Sequence, residues 1–263
     1  MSVPTDAPKN HNALTGPKRW LTHFIFGARV MQGPFEGMKY LTDSVGSAYW
    51  PKWFGSYESE LVPLIEALCR QPFSTIVDVG AAEGYYAVGL ARRQPTARVV
   101  AFEAEAAGRS LIERMAKMNS VESRLEVHGY CDSPALSKSL HGPGRKLIIM
   151  DVEGAEDILL DPVLVPELAS TEILVELHGD AVADGGAMLV KRFATTHQTD
   201  LIRSRERDAA DLPPRLWWFR WILPAHMLAR AIKERPAPQS WLHFHPLGKE
   251  IGGGQHADPA RIS

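Results

Sequence analysis

One segment, residues 77–91, constrains the fold of this chain more than any other. It reads VDVGAAEGYYAVGLA: a short apolar strand pattern, a turn that contains Gly80 and Gly84, and then an apolar helix pattern. Glycine at such a turn can adopt positive φ angles and lets the backbone approach a ligand closely. In α/β sheets, ligands bind outside the carboxyl ends of the strands, near a turn of this kind. The segment therefore predicts a ligand-binding loop in a strand–turn–helix unit.

The rest of the chain continues this alternation of short apolar runs and helical patterns. Strands are predicted at residues 74–80, 97–104, 124–132, 146–154, 171–179, 199–207 and 240–247. A helix with Ser59 as its N-cap is predicted before them, and further helices lie between them. Nearly continuous apolar strands separated by helices are typical of a parallel sheet covered on both faces. We therefore expect an α/β fold with a doubly wound, mostly parallel, seven-stranded sheet.

Three regions are predicted to differ from this main domain, which covers residues 56–250. Residues 1–55 form an N-terminal arm, disordered at its start and then rich in aromatic residues that must pack on something. Residues 209–236 interrupt the strand pattern as a helical, lid-like insertion before the last strand. Its Trp217, Trp218 and Trp221 either cover a substrate or bury the insertion on the sheet. Residues 251–263 are expected to be a flexible tail.

The overall composition excludes several classes of function. With 263 residues and a net charge of −2, the chain lacks the basic surplus of proteins that bind a phosphate backbone. Two cysteines, Cys69 and Cys131, are too few for a disulfide framework or a zinc–cysteine site. The most apolar long stretch is interrupted by charged residues, which disfavours a membrane span. We expect a cytoplasmic protein with neither a nucleic-acid nor a membrane partner.

The sequence of the glycine loop bears on the kind of cofactor. Dinucleotide-binding loops carry G-x-G-x-x-G, whereas this loop reads G-A-A-E-G and lacks the middle glycine. Glu83 is expected to bring a negative charge to the place of the pyrophosphate. A ligand without phosphate and with positive charge fits better, and S-adenosylmethionine is such a ligand. Asp78, Gly80, Ala81, Glu83, Gly84 and Tyr85 are predicted to bind it.

Acidic residues after the second and third predicted strands support the same cofactor. Glu103 ends the second strand, where a carboxylate can accept both ribose hydroxyl groups. Asp132 follows the third strand and is placed to accept a hydrogen bond from the adenine amino group. The neighbouring Ala104 and Cys131 are predicted to line the same site.

Three polar residues at the ends of the fourth and fifth strands are predicted to carry the chemistry. Asp151 ends the fourth strand, and it is also predicted to contact the cofactor. Glu176 and His178 end the fifth strand and, as residues i and i+2, point to the same face. His178 is predicted to act as a general base that the neighbouring carboxylate orients. The same three side chains could instead hold a divalent metal ion, and they could also only brace the end of the sheet.

Several stretches resemble the FkbM-type methyltransferases, a class I S-adenosylmethionine-dependent group. The matching stretches are GPFEGMKY (33–40), FGSYESEL (54–61), VDVGAAEGYYAVGLA (77–91), IMDVEGAED (149–157), ILVELH (173–178) and RFATTH (192–197). The DVEGAE element is the most specific of them. The resemblance implies the Rossmann-like seven-stranded methyltransferase sheet and O-methylation of a sugar or another natural-product hydroxyl. It covers most of residues 33–200 and does not extend to the insertion.

The function expected from the sequence is therefore O-methylation of a small molecule or glycoside. Three alternatives stay open: N- or carboxyl-methylation, a nicotinamide-dependent oxidoreductase, and a non-catalytic module that binds a partner. Apolar residues in the arm could also serve a homodimer contact. Glu153 and Glu156 either bind the cofactor or cap the turn after the fourth strand, and His197 is a further candidate for the pocket lining.

Overall fold

The computed structural model of the protein describes residues 28–41, 49–178, 184, 186–208, 211–216 and 239–248. The predicted disorder at the start of the arm, the C-terminal tail and most of the 209–236 insertion lie outside these residues. The same holds for Trp217, Trp218 and Trp221.

Seven strands of the described residues form one sheet. Its order is β3-β2-β1-β4-β5-β7-β6. The strands are β1 (Thr75–Val79), β2 (Arg98–Phe102), β3 (Leu125–His128), β4 (Lys146–Met150), β5 (Glu172–Glu176), β6 (His197–Arg203) and β7 (Ser240–Pro246). The first five pair in parallel, whereas β7 runs antiparallel to both β5 and β6. The chain order reverses between β1 and β4, so the carboxyl ends of these strands mark the switch point where ligands bind in such sheets.

Helices cover both faces of the sheet, which confirms the doubly wound α/β class. The helices are α1 (Tyr49–Phe54), α2 (Val62–Cys69), α3 (Tyr85–Arg93), α4 (Ala106–Met118), α5 (Ser133–Leu140), α6 (Glu156–Leu159) and α7 (Ala187–Phe193). Alternate residues of each strand point to opposite faces. In β1, Ile76 therefore packs with α1–α4, whereas Val77 and Val79 pack with α5–α7. Strands buried on both sides explain the continuous apolar runs in the sequence.

The described part of the N-terminal arm packs into the core of the main domain. Phe35, Tyr40 and Trp53 are almost completely buried in the same cluster as α2, α3 and α4. The backbone of Met31 bonds to Trp53, and a side chain on Gly55 would collide with the backbone of Gln32. The prediction that these aromatic residues need a packing surface is therefore confirmed. The arm contributes one wall of the domain.

Two local predictions differ from the structure. Ser59 begins a short 3-10 helix, Ser59–Leu61, instead of capping α2, and its hydroxyl bonds to Arg205 and Asp211. The strand predicted at 199–207 instead runs from His197 to Arg203, because these are the residues that pair with β7. None of the helices in the part of the chain described by the structure has the length and apolar character needed to cross a bilayer.

Candidate active site

The glycine loop lies against the carboxyl end of β4. Gly80 has a φ of 84°, and a Cβ atom there would lie 1.7 Å from the carbonyl oxygen of Asp151. The backbone N–H of Asp151 in turn donates to the carbonyl of Val79. Only glycine permits this approach. Gly80 therefore joins the loop directly to Asp151, which is predicted to contact the cofactor.

Glu103 is held against the glycine loop by two backbone N–H groups. Its Oε2 accepts from Ala82 at 2.8 Å, and its Oε1 accepts from Glu105 at 2.7 Å. Gly108 makes room for it, since a Cβ atom there would lie 2.7 Å from the Cγ atom of Glu103. A carboxylate has about four acceptor positions, so both oxygens retain capacity for a further donor. The carboxylate is thus fixed in position and still able to accept from a pair of hydroxyl groups.

Glu83 does not have the predicted role. Its side chain is completely buried, and its Oε1 accepts from the hydroxyl of Tyr40 at 2.5 Å and pairs with Lys52 at 2.7 Å. Lys52, from α1, supplies a cation that compensates for the carboxylate. The prediction that Glu83 brings a negative charge to the place of the pyrophosphate is therefore wrong. What opposes a pyrophosphate is Ala82, whose N–H is already used by Glu103.

Tyr85 begins α3 directly after the glycine loop. Its ring is buried and makes edge-to-face contacts with Phe35, Tyr40 and Tyr57 at centroid distances of 5.2–6.1 Å. The side chain therefore fixes the start of α3 to the arm. That Tyr85 also binds the cofactor stays a prediction.

Cys131 and Asp132 lie between β3 and α5. The strand β2, which Glu103 follows, separates β3 from β1 and its glycine loop. Asp132 is exposed and caps α5, since its Oδ1 accepts from the N–H of Ala135 at 2.8 Å. Cys131 is buried among the side chains on the α5–α7 face, and burial raises the pKa of its thiol to about 12. Asp132 thus retains one carboxylate oxygen beyond the cap, whereas the thiol of Cys131 is a packing group.

Asp78 lies beneath the glycine loop, on the same face of the sheet as Asp151. Its side chain is buried, and none of the residues that the structure describes bonds to its Oδ2. Burial raises the pKa of Asp78 to about 7, against the opposing effect of the backbone N–H of Ala87, and the charge of Asp151 adds to the rise. A polar atom buried in this way beside a ligand-binding loop fits a site completed by a ligand.

Acidic side chains surround His178 after the end of β5. The Nδ1 of His178 lies 2.6 Å from Oε1 of Glu156. Its Nε2 lies 3.5 Å from Asp151, 3.6 Å from Glu153 and 3.6 Å from Glu176. The structure therefore brings together the three predicted catalytic residues, and it adds two carboxylates from the DVEGAE element.

The carboxylate that orients His178 is Glu156, and the prediction of Glu176 for this role is wrong. Glu156 begins α6, is almost completely buried, and also accepts from the N–H of Gly154 at 3.1 Å. Glu176 is completely buried, but its Oε1 accepts from the side-chain amide of Gln239 and is too far from Nε2 for a hydrogen bond. Glu156 does cap the turn after β4, as one of the two predicted roles requires, but it also orients His178.

The electrostatic surroundings of His178 favour its charged form. Burial alone would lower the pKa of His178, but the hydrogen bond to Glu156 and the charge of Asp151 outweigh it and raise the pKa above its usual value. The same contact lowers the pKa of Glu156 in spite of its burial. The two shifts agree in describing one strong His–Glu pair.

The other histidines considered lie away from this group. His197 is buried at the start of β6, where its Nε2 contacts the carbonyl of Thr171 at 2.9 Å. Thr171 precedes β5, so His197 lies at the opposite end of that strand from His178, and its predicted place in the pocket is wrong. His243 pairs with Glu172 at 3.1 Å, also at that opposite end.

Comparisons with known proteins give only distant structural likenesses. No family model matches the chain, and no curated protein matches it. Among solved structures, the chain is similar to a precorrin-6Y C5,15-methyltransferase from Geobacter metallireducens, with 11% identity, TM-score 0.47 and 71% and 87% of the two chains covered. It is also similar to the C-terminal domain of the precorrin-6Y C5,15-methyltransferase from Rhodobacter capsulatus, with 15% identity and a TM-score of 0.48. That likeness covers 70% of this chain and 85% of the other.

A third similar structure is the O-methyltransferase TomG from Streptomyces achromogenes, solved in complex with S-adenosylmethionine, with 16% identity, TM-score 0.43 and 72% and 80% of the two chains covered. The sheet of this chain is of the Rossmann-like kind that class I methyltransferases have. Since all three identities are below 25% and all three TM-scores are below 0.5, these likenesses carry no conclusion about activity or substrate.

Proposed function

We propose that this protein is an S-adenosylmethionine-dependent methyltransferase of the FkbM type that methylates a hydroxyl group of a small molecule or glycoside. The observation that carries the proposal is the position of Glu103, fixed against the glycine loop by the N–H of Ala82. Because this N–H already donates to Glu103, it is not available to a pyrophosphate, whereas the Glu103 carboxylate can still accept from ribose hydroxyl groups. This disfavours the nicotinamide-dependent alternative.

The residues around the loop fit the proposed cofactor. Gly80 lets the loop lie directly against the backbone of Asp151, and the carboxylates of Glu103 and Asp151 suit a ligand with hydroxyl groups and positive charge. When bound, S-adenosylmethionine supplies a methyl group that its sulfonium has already activated. The protein then has to orient the acceptor and remove its proton, and orientation alone is worth about 7–11 kcal/mol.

The group around His178 supports a hydroxyl acceptor. Removing a proton from an alcohol at neutral pH requires a base or a metal ion, because the pKa of a hydroxyl group is of the order of that of water, about 15.7. Asp151, Glu176 and His178 lie at the carboxyl ends of β4 and β5, the edge of such a sheet where ligands bind. Direct proton transfer to Nε2 of His178 and metal binding at Nε2 exclude each other, since both use the same lone pair.

The specific assignment to the FkbM type is supported by the DVEGAE element. Its Asp151, Glu153 and Glu156 all lie within 3.6 Å of His178. The part of the resemblance with the most specific sequence is therefore also the part that builds the chemical group. This agreement favours the family over a non-catalytic use of the fold.

Calorimetric titration with S-adenosylhomocysteine tests the proposal. The wild-type chain should bind one equivalent, and Glu103→Gln should weaken binding about 10-fold or more, since a hydrogen bond to a charged group contributes about 1.5–3 kcal/mol. Glu105→Gln is the matched control. Glu105 lies two residues from Glu103, and its side chain does not cap α4. The affinity of this variant for S-adenosylhomocysteine should therefore be unchanged.

The outcome separates the candidate functions. If the wild-type chain does not bind S-adenosylhomocysteine, the methyltransferase proposal fails and a partner-binding role becomes the leading alternative. If binding is found, the acceptor is sought by measuring S-adenosylhomocysteine release with a panel of hydroxylated small molecules and glycosides. Amines and carboxylic acids in the same panel test the N- and carboxyl-methylation alternatives.

A further inference from the structure

The Nε2 nitrogen of His178 is a buried donor or acceptor for which the described residues provide no hydrogen-bond partner. Its nearest polar neighbours are the carboxylates of Asp151, Glu153 and Glu176 at 3.5–3.6 Å. These separations are too long for a charge-assisted hydrogen bond, which is about 2.7–2.9 Å long. The imidazole nitrogen therefore lies close to three carboxylates without a hydrogen bond to any of them. Metal ligands that share one ion have nearly this spacing.

We propose that Asp151, Glu153 and Nε2 of His178 bind one divalent transition-metal ion. One ligand atom from each of the three lies within 4.8 Å of those of the other two. Two donors that are each about 2.0–2.1 Å from one ion are separated by roughly 3.0–3.4 Å, depending on the angle between them. The observed distances of 3.5 and 3.6 Å from Nε2 need to shorten by only a few tenths of an ångström.

Glu156 supports the site from behind the imidazole. Its hydrogen bond to Nδ1 fixes the ring orientation and leaves the lone pair of Nε2 directed at Asp151 and Glu153. Histidines that bind metals commonly have their other nitrogen held by a carboxylate in this way, and loss of that carboxylate costs about 10- to 100-fold in affinity. The N–H of Gly154 holds Glu156 in turn. Glu156 is thus a positioning residue for the proposed ligand.

The donor set indicates which ions fit. Imidazole nitrogen together with carboxylate oxygen suits Mn²⁺, Fe²⁺ or Zn²⁺ better than Mg²⁺ or Ca²⁺, which prefer oxygen alone. Glu153 is mostly exposed, so this side of the site is open to solvent and to an acceptor molecule. A bound hydroxyl would lose its proton more easily on such an ion. For this chemical role, though not for metal binding itself, the inference rests on the proposed function.

Manganese binding by the EDTA-treated full-length chain tests the inference. Electron paramagnetic resonance measures free Mn²⁺ directly, and the wild-type chain should bind one Mn²⁺ with micromolar affinity. Glu153→Gln should weaken binding at least 10-fold, and its exposed position makes misfolding unimportant. Glu156→Gln should weaken it to a similar extent, whereas the exposed Glu113→Gln on α4 should leave it unchanged. Pulsed measurements should show nitrogen coupling from His178 that His178→Asn abolishes.

Two results would overturn the inference: binding only at millimolar Mn²⁺, or micromolar binding that Glu153→Gln and His178→Asn leave intact. Titration of the same samples with S-adenosylhomocysteine keeps the two proposals apart. Cofactor binding without Mn²⁺ binding would remove the metal site and leave the methyltransferase proposal standing. Mn²⁺ binding without cofactor binding would remove the methyltransferase proposal and leave the metal site standing.

Discussion

Two glutamates on β5 are equally buried and have opposite surroundings. Glu172 begins the strand and Glu176 ends it, four residues apart on the same face. Glu172 is paired with Arg145 at 2.5 Å and with His243 at 3.1 Å. Glu176 accepts from the neutral amide of Gln239 and lies near Asp151 and His178 at the candidate active site. One end of the strand compensates its buried acid with cations, whereas the other end collects further acids.

The difference separates a carboxylate that is paired with basic side chains in the core from a carboxylate that lies among other acids at the candidate active site. A buried carboxylate is stabilised in the folded chain only when a partner offsets its loss of hydration. Glu83, with Lys52, belongs to the compensated kind, and so does Glu60, which lies 2.6 Å from Arg207. The group around His178 concentrates four carboxylates on one imidazole.

Removal of a compensating cation should give the largest effect. Lys52→Met leaves Glu83 charged and buried without its cation, which should lower the free energy of unfolding by about 3–5 kcal/mol. Urea denaturation followed by circular dichroism measures it. The double variant Lys52→Met/Glu83→Gln should regain much of the loss. Equal losses in the single and double variants would show that the ion pair is not the cause.

Neutralising the two glutamates of β5 should give effects of different size. Glu172→Gln removes charge from its bonds to Arg145 and His243 and should lower the free energy of unfolding by about 2 kcal/mol. Glu176→Gln keeps an oxygen that can accept from Gln239 and removes one carboxylate from the acidic group, so the loss of stability should be smaller, while Mn²⁺ affinity falls. Urea denaturation of both variants checks this. A loss of stability in Glu176→Gln as large as that in Glu172→Gln would contradict the distinction between the two ends.

The same comparison explains what could be predicted from the sequence. Strand periodicity places Asp151, Glu176 and His178 at the carboxyl ends of neighbouring strands, and the structure brings them together there. Local patterns could not show that Glu83 turns inward, because its cation comes from Lys52, 31 residues earlier in the chain. The choice of Glu156 over Glu176 as the partner of His178 depends on the path of the chain after β4. Glu153 and Gly154 both have positive φ there, and no periodicity predicts that path.

Acid titration should distinguish Glu172 from an uncompensated carboxylate. Burial opposes its ionisation, but His243 and Arg145 outweigh burial and lower the pKa of Glu172. A lowered folded-state pKa adds stability above the unfolded-state value of about 4.3, and this stability is lost as the pH falls through the folded-state pKa. The stability gap between the wild-type chain and Glu172→Gln should therefore narrow from pH 6 to pH 3. A gap that stays constant would mean that the charge of Glu172 does not contribute.

The smallest expected effect concerns His197, the histidine at the compensated end of the sheet. Burial lowers the pKa of His197, in contrast to His178, whose pKa is raised. Its two nitrogens contact the carbonyl of Thr171 and the hydroxyl of Thr196, so the neutral ring satisfies both. The unfolded chain therefore binds a proton more readily at this position, and stability should fall as the pH drops below about 6.5. In His197→Gln this part of the slope between pH 6.5 and pH 5 should disappear, as urea denaturation at each pH would measure. An unchanged slope would assign the loss to other groups and leave His197 as a packing residue alone.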